Sequence, residues 1–405
     1  MVRRWIKKTL LASLLCGLCA STLANTTAAD PATEAGSKLD GKADATQTVP
    51  PPATPDKNAP PAPPSTMRLA LLLPLSSDTL GQAANTIRAG FMAAYERESS
   101  GVTVAVIDSG ESGADVLNRY LDAHADNDVI VGPLSRAGVT AVAQSGSVNK
   151  PTIALNQPET AGPDEVLPRK MLVMSLSIEE EARQMAVWAA AHRSSTSAFV
   201  VSSSTPWQRR AAKAFVAQWQ QTGRSVASVE LPASAGYLSA SALVQLRTQI
   251  EIEKPGLLFV ALDADQTRQA RTALGYELPI YGTSQLNPTP LSEQIGAAPV
   301  PELKGVRLLD MPWLLQADHT AVMVYPHLVT PADQKASADL ERLYALGIDA
   351  YRVARELAGN KTNFEIDGVT GKLTVRFGKG PAFFERIEQQ AVYMDGVLAP
   401  LNGRR

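Results

Sequence analysis

Cysteine is nearly absent from this 405-residue chain, which contains only Cys16 and Cys19. Both lie within the first 24 residues, which have the features of an export signal. From residue 25 onward the chain therefore has no disulfide, no thiolate nucleophile and no cysteine metal site. Its fold must be stabilised by packing.

Other features are lacking as well. After the N-terminus, no stretch approaches the roughly twenty consecutive apolar residues of a transmembrane helix. The net charge is −2 without a basic stripe, which excludes nucleic acid as a partner. There is no glycine-rich phosphate loop. The four histidines have neither zinc-site nor Ser/His/Asp spacing, so we predict no metal and no cofactor.

Signs of catalysis are weak. Ser147 and Lys150 match the Ser-x-x-Lys spacing of penicillin-recognising enzymes, but they precede a proline and a strand and lack the downstream Ser-Asp-Asn and Lys-Thr-Gly motifs. Asp108, Asp263 and Asp310 at strand ends could form an acid/base pair, yet each has an ordinary role in capping the turn that follows. We therefore predict a protein that is not an enzyme, with no catalytic residues.

The N-terminus predicts export to the periplasm. A basic group at residues 3–8 precedes an apolar run at 10–18 and then small residues, which places signal cleavage after Ala24 and leaves a soluble protein. In the competing interpretation, Cys16 or Cys19 is acylated and the protein is an outer-membrane lipoprotein. Leu15 and Leu18 occupy the positions where a small residue usually precedes the cysteine, so membrane association is expected only if lipidation occurs.

Residues 25–66 predict a disordered tether. They are rich in Ala, Thr, Asp and Pro and contain almost no large apolar residue, so they cannot bury enough surface to offset the entropy of ordering. The proline-dense end should be extended and semi-rigid. The remaining residues, 67–405, are long enough for two lobes of ordinary domain size.

Short, continuously apolar runs alternate with helical patterns, which is typical of parallel strands covered on both faces. The first series lies at 69–73, 102–107, 129–131, 152–155 and 171–174, and the second at 198–201, 226–231, 257–262, 279–281 and 306–309. We predict an α/β fold: a two-lobed clamshell of the type I periplasmic-binding-protein kind, each lobe a mostly parallel sheet flanked by helices. Lobe one spans about 67–178 plus about 336–405, and lobe two about 190–315.

The loops after the strands are where an open parallel sheet binds ligands. In lobe one the candidate ligand-binding residues are Ser76, Ser77, Gly132, Pro133, Asn156 and Gln157, and in lobe two they are Ser203, Asp263, Ser284 and Gln285. Loops of this kind can cradle a carboxylate at a helix N-terminus. The alternative is that these residues only cap helices and shape turns.

Seven stretches resemble the LppC-like penicillin-binding protein activators: LALLLPL at 69–75, IRAGF at 87–91, VGPL at 131–134, ALN at 154–156, PIYGTSQ at 279–285, GVRLLDMPW at 305–313 and LYALGIDAY at 343–351. The resemblance covers nearly the whole chain from residue 67, and its last three stretches are the most specific. It implies a C-terminal domain with the type I periplasmic-binding fold. It also implies an envelope regulator that binds a class A penicillin-binding protein and stimulates peptidoglycan synthesis.

A different function is possible on the same fold. A solute-binding protein for an amino acid or similar small anion would hold a small-molecule ligand in the cleft between the lobes. Such a receptor should present a charged clamp for the ligand's ammonium and carboxylate, whereas the strand-end loops here offer mostly Ser, Pro, Gly and Asn. Fold alone does not decide between the two functions.

Overall fold

The computed structural model describes residues 66–159, 166–192, 197–294, 296–330, 335–378 and 380–401. The predicted signal at 1–24 and tether at 25–66 lie outside these residues, apart from Thr66. The described part is an α/β structure with two mostly parallel sheets flanked by helices, one sheet in each of two lobes.

The first sheet is parallel throughout, with strand order β2-β1-β3-β4-β5. The strands of this sheet confirm the first predicted series. In chain order, the strands and the helices that cover them are β1 (Met67–Leu73), α1 (Gly81–Arg97), β2 (Val102–Asp108), α2 (Gly113–Asp126), β3 (Val129–Val131), α3 (Arg136–Gln144), β4 (Thr152–Ala154) and β5 (Met171–Val173). The continuous apolar run at 69–73 is fully buried, as expected for a strand covered on both faces.

The second sheet follows the same plan. Its elements are α4 (Ile178–His192), β6 (Ser197–Ser203), α5 (Pro206–Gln221), β7 (Ser225–Leu231), the hairpin β8 (Ala233–Ser234) and β9 (Tyr237–Leu238), α6 (Ala240–Glu253), β10 (Leu257–Ala261), α7 (Ala264–Leu274), β11 (Ile280–Gly282), α8 (Leu291–Gln294), β12 (Arg307–Asp310) and α9 (Pro312–Leu315), with 3₁₀ turns at Ser284–Leu286 and Pro301–Leu303. Helix α4 carries the chain from the first sheet to the second.

The C-terminal part divides between the lobes. It comprises α10 (Ala338–Ala358), β13 (Asn363–Asp367), β14 (Lys372–Arg376), β15 (Phe383–Ile387), β16 (Gln389–Met394) and β17 (Val397–Pro400). Strands β13, β14 and β15 form a separate antiparallel sheet. Strand β16 pairs with β12 and completes a second sheet of order β17-β16-β12-β11-β10-β6-β7.

This pairing corrects the predicted lobe boundary. We expected residues 336–405 to complete lobe one, but 389–400 belong to the sheet of lobe two. The physical reason is the ladder between β12 and β16, in which Leu308 lies opposite Ala391 and both side chains are buried. An apolar run shows that a strand is buried, but not which sheet contains it.

Helix α10 closes lobe one by packing directly on α1. A Cβ on Gly347 would lie 2.1 Å from the Ile87 carbonyl oxygen, and a Cβ on Gly90 would lie 1.9 Å from the Tyr344 carbonyl oxygen. Only glycine allows the two backbones to approach so closely. The contact also brings Tyr351 edge-on to Phe91, with ring centroids 5.2 Å apart. Helix α10 is thereby held in lobe one, with its N-terminal turns reaching toward lobe two.

Candidate functional site at the hinge between the lobes

The described chain passes between the lobes three times. The first crossing lies between β5 and α4, the second follows β12 at Asp310, and the third lies between β15 and β16 at Glu388. A polar residue that is at least nine-tenths buried marks each crossing: Ser175, Asp310 and Glu388. The hinge is therefore a place where charge is held away from water, which demands partners for each group.

Arg342 provides the partners at the second crossing. It lies on the buried face of α10, and its guanidinium binds Asp310 through two nitrogens, Nε to Oδ1 at 3.1 Å and Nη2 to Oδ2 at 2.8 Å. Nη2 also donates to the carbonyls of Ser284 and Asn287 at 3.0 and 2.9 Å, and Nη1 donates to Asp339 at 2.8 Å. All three guanidinium nitrogens thus have protein partners. Burial alone would lower the pKa of Arg342, but the charge of Asp310 raises it above the ordinary value.

Glu181 links the first crossing to the same network. Its Oε2 accepts a hydrogen bond of 2.8 Å from the Ser284 backbone N–H, and the residue is 7% exposed. Burial raises the pKa of Glu181 to about 7, although the Ser284 hydrogen bond and Arg342 act in the opposite direction. The hinge can therefore hold a proton on this carboxyl near neutral pH.

The third crossing carries a second buried arginine. Arg386 donates from Nη1 to the Ser175 carbonyl at 2.8 Å and from Nε to the Thr370 hydroxyl at 3.0 Å, so it joins the third crossing to the first. Its Nη2 and the Oε2 of Glu388 are buried without a hydrogen-bond partner among the described residues. Burial and the nearby Glu181 raise the pKa of Glu388 well above its usual range.

A cavity of about 320 Å³ opens beside this crossing. Its walls come from the end of β5, the first turns of α4 and the whole of β15, and the residues that line it include Gln157, Ser175, Glu180, Gln184, Phe384 and Glu388. Of the residues predicted to bind a ligand, Gln157 is the one that lines this cavity. Its Nε2 lies 3.4 Å from the Ser175 hydroxyl.

The other predicted residues of lobe one hydrogen-bond or pack within that lobe, either in their own loop or against a neighbouring loop or strand. Ser76 hydrogen-bonds the Asp108 carboxyl, and the Ser77 hydroxyl accepts from the Leu80 N–H at 3.0 Å. Gly132, at φ 116° before Pro133, lets the chain pass close to β1, because a Cβ there would lie 2.0 Å from the Leu72 carbonyl oxygen. Asn156 donates to the Leu134 carbonyl at 3.2 Å.

In lobe two the predicted residues have similar roles, with one exception. The Ser203 N–H donates to Gln208, and Asp263 caps α7 by accepting from the Gln266 N–H at 2.8 Å. Ser284 instead lies in the hinge network, next to Gln285. Ligand binding by these ten residues remains a prediction.

The charged residues of the hinge are not among the residues that the sequence predicts to form a site. Glu181, Arg342, Arg386 and Glu388 have no predicted role, and Asp310 is predicted only as an acid or a cap. A usable signal existed for Arg342, since Ala338 and Ala345, at helical spacing on either side of it, lie on the apolar face of α10. A charge on an apolar helical face requires a buried partner.

None of the helices in the described residues combines the length and apolar character needed to cross a membrane. In those same ranges, no group of three or more His, Cys, Asp or Glu side chains is arranged to hold a metal ion.

The family model described as "LppC putative lipoprotein" matches residues 63–379, which include both lobes and all but the last strands of the fold. The chain belongs to the LppC family. Among curated members, the penicillin-binding protein activator LpoA of Photobacterium profundum is 27% identical over 343 residues, which are 76% of this chain and 53% of that protein. The LpoA of Vibrio antiquarius is also 27% identical, and the match spans 54% of that protein. The chain thus spans about half the length of the curated relatives it matches.

Solved structures confirm the periplasmic-binding-protein fold. The C-domain of LpoA from Haemophilus influenzae, called "a regulator of PBP1A", is similar over 83% of this chain and 100% of its own, with 20% identity and a TM-score of 0.61. A protein from Chromobacterium violaceum called "a putative branched-chain amino acid ABC transporter" is 34% identical over 80% of this chain and 99% of its own, with a TM-score of 0.64.

Proposed function

We propose that this protein is a non-catalytic periplasmic regulator that binds a class A penicillin-binding protein and stimulates its synthesis of peptidoglycan. The observation that carries the proposal is the family match across both lobes, together with curated relatives that are named penicillin-binding protein activators. The predicted export signal supports the periplasmic location.

The hinge geometry supports action by contact. Arg342 joins α10 of lobe one to the Ser284 and Asn287 carbonyls of lobe two, and Arg386 joins the first and third crossings. A hinge with this many buried hydrogen bonds holds the two lobes in one relative orientation. A fixed orientation suits a protein that presents a constant surface to a partner. The guanidinium nitrogens of Arg342 have internal partners and are not available to clamp a ligand carboxylate.

The Ser-x-x-Lys spacing also has a structural explanation. Lys150 donates from Nζ to the carbonyls of His124 and Asn127 at 2.5 and 2.8 Å, and so caps the end of α2. An ammonium group held in this way is not positioned to take a proton from Ser147. This favours a regulator over an enzyme.

The test is direct binding. The purified protein is titrated against a purified class A penicillin-binding protein from the same cell, with binding followed by interferometry in matched detergent. We expect saturable binding, and a lysozyme-fold protein of similar charge serves as a control for non-specific association. A dissociation constant of about 100 µM corresponds to a binding free energy of only about 5.5 kcal/mol. Absence of binding at that concentration would contradict the proposal.

A solute-binding function is the second candidate. It is favoured by the 34% identity to the Chromobacterium violaceum protein over 99% of that chain. Calorimetry with leucine, isoleucine and valine separates the two functions. Tight binding of one of these amino acids without any binding to the synthase would establish the receptor.

A further inference from the structure

Strand β2 is a terminal strand of the first sheet, and among the described strands it pairs with β1 alone. The hydrogen bonds at its two ends show which backbone groups face outward. The N–H of Ser109 donates to the Leu73 carbonyl of β1 at 2.9 Å, whereas the N–H of Val102 donates to the Ser99 carbonyl at 3.0 Å, away from β1. Backbone groups of successive strand residues point to opposite sides. The odd-numbered residues of β2 therefore bond to β1, and the even-numbered residues face the open edge.

Val104 and Val106 hold the free backbone groups of this edge. Their N–H and C=O groups have no hydrogen-bond partner among the described residues. A groove of about 560 Å³ runs beside them, with Thr103, Ala105 and Ile107 of β2 in one wall and residues of α2 in the other. Thr103 and Ala105 are exposed, and Val106 is 41% exposed. The edge is thus accessible along the middle of the strand.

Strand β2 lacks the features that protect terminal strands from pairing. Natural sheets keep such strands short or place charged residues or proline on them. Of the other terminal strands of the two large sheets, β5 has three residues, β17 ends in Pro400 and β7 carries Glu230. Strand β2 has seven residues, and the stretch VTVAVI at 102–107 contains no charge and no proline. A long, uncharged edge of this kind is a template for another strand.

A second copy of β2 fits this edge. If two copies lie antiparallel with Ala105 opposite Ala105, the Val104 of each copy lies opposite the Val106 of the other. The free groups of these residues then face each other, and each such pair exchanges two hydrogen bonds. The open edge is therefore complementary to itself about a two-fold axis, as the interface of a symmetric dimer must be.

The charges beside the groove favour the same occupant. Arg119, Asp122 and Asp126 of α2 line it, are exposed, and form no ion pair with another described residue. Two α2 helices related by the two-fold axis run antiparallel, which lets the Arg119 of each copy approach the carboxylates of the other. A wall that carries both signs of charge suits its own copy better than a partner that is uniformly acidic or basic.

We propose that the open edge of β2 is a dimerisation surface, on which a second copy of this chain pairs antiparallel about Ala105 and joins the two first sheets into one. This inference is independent of the proposed function. The main-chain bonds of Val104 and Val106 provide the pairing, and the small side chain of Ala105 lets the two strands approach at the axis.

Sedimentation velocity of the purified protein between about 1 and about 200 µM measures this association, because a dimer gains weight with concentration. We expect the average mass to rise toward twice that of the single chain. Ala105→Glu places two carboxylates directly opposite each other at the axis, and it should weaken the dimer at least about tenfold. Ser228→Glu is the matched control, since it makes the same charge change at an exposed position of β7, and it should dimerise as the unmodified protein does. The mass of a single chain at every concentration, or equal dimerisation of the two variants, would refute the proposal.

A cysteine at the axis provides a second measurement that does not depend on loss of binding. The two copies of residue 105 form a non-hydrogen-bonded pair with Cα atoms about 4.5 Å apart, which is within the range of a disulfide. In a full chain that carries Cys16→Ser and Cys19→Ser, Ala105→Cys supplies the only thiol. We expect oxidised glutathione to convert this variant to a disulfide-linked dimer, whereas Ser228→Cys in the same background should remain a single chain.

Two outcomes of these measurements would overturn the dimerisation surface. One is a disulfide that forms no faster at residue 105 than at residue 228. The other is hydrogen exchange in which the synthase slows the amides of Val104 and Val106 while the protein alone stays a single chain, which would assign the edge to the synthase.

Discussion

Removing the Arg342 side chain should destabilise the protein strongly. The Asp310 carboxylate is fully buried, and in Arg342→Met its remaining partners among the described residues would be the Asn287 amide at 2.8 Å and the Met311 N–H at 2.9 Å. The carbonyls of Ser284 and Asn287 would also lose a donor. Loss of one member of a buried ion pair typically costs about 3–5 kcal/mol, and we expect a loss in that range.

Urea unfolding, followed by tryptophan fluorescence and circular dichroism, measures this change. A double variant, Arg342→Met with Asp310→Asn, should lose less than the sum of the two single variants, because it leaves neither member of this ion pair as a buried charge without its partner. Arg247→Met is the control. It breaks an exposed pair with Glu251, 3.0 Å apart, and should change stability by no more than about 0.5 kcal/mol.

The reasoning would be refuted if Arg342→Met unfolded within about 1 kcal/mol of the unmodified protein, or if the effects of the two hinge substitutions were additive. Either result would mean that water or other groups replace the guanidinium at little cost. The hinge would then not hold the lobes in the way that its hydrogen bonds indicate.

Three further predictions concern single positions. Glu181→Gln removes a carboxyl whose pKa is raised to about 7 by burial. In the unfolded chain the pKa of this carboxyl is near 4.5, so between these two values the folded form keeps a proton that the unfolded form has released. The stability of the unmodified protein should therefore fall relative to the variant as pH rises from 4.5 to 7, measured as urea midpoints. Gly347→Ala should cost at least about 2 kcal/mol in thermal unfolding, because the new Cβ forces α1 and α10 apart. Gly359→Ala is the control: among the described residues its Cβ would meet nothing closer than 3.4 Å, so its effect in the same assay should be mild. Trp313→Phe removes the 2.7 Å hydrogen bond from the indole N–H to buried Glu341, and it should cost about 1–3 kcal/mol in urea unfolding. Glu341→Gln is the control and should cost less, because its amide oxygen can still accept the indole hydrogen bond.

The strands of both parallel sheets could be predicted from the sequence because burial on two faces leaves a direct mark: a short run without polar residues. Helix α1 leaves an equally direct mark, because Ile87, Phe91 and Tyr95 recur at every fourth position on one helical face. The assignment of β16 could not be read in this way. Ala391, Val392 and Tyr393 are buried in lobe two, but the same apolar run would be buried equally well in lobe one.

The hinge network was beyond sequence reasoning for a different reason. Asp310 and Arg342 are 32 residues apart, and Glu181 lies more than 100 residues from Ser284. No local spacing relates such groups, and only the three crossings bring them together. The strand-end loops were predictable as positions, but the hydrogen bonds within them depend on turn geometry that the residue types alone do not specify.

Glycan polymerisation by a purified class A penicillin-binding protein tests the central claim most directly. An activator must bind the active state of the synthase more tightly than the inactive one, and a coupling of about 1–3 kcal/mol raises the weight of that state about 5- to 150-fold. We predict that the polymerisation rate rises and saturates as this protein is added. An unchanged rate at concentrations that saturate binding would contradict the account.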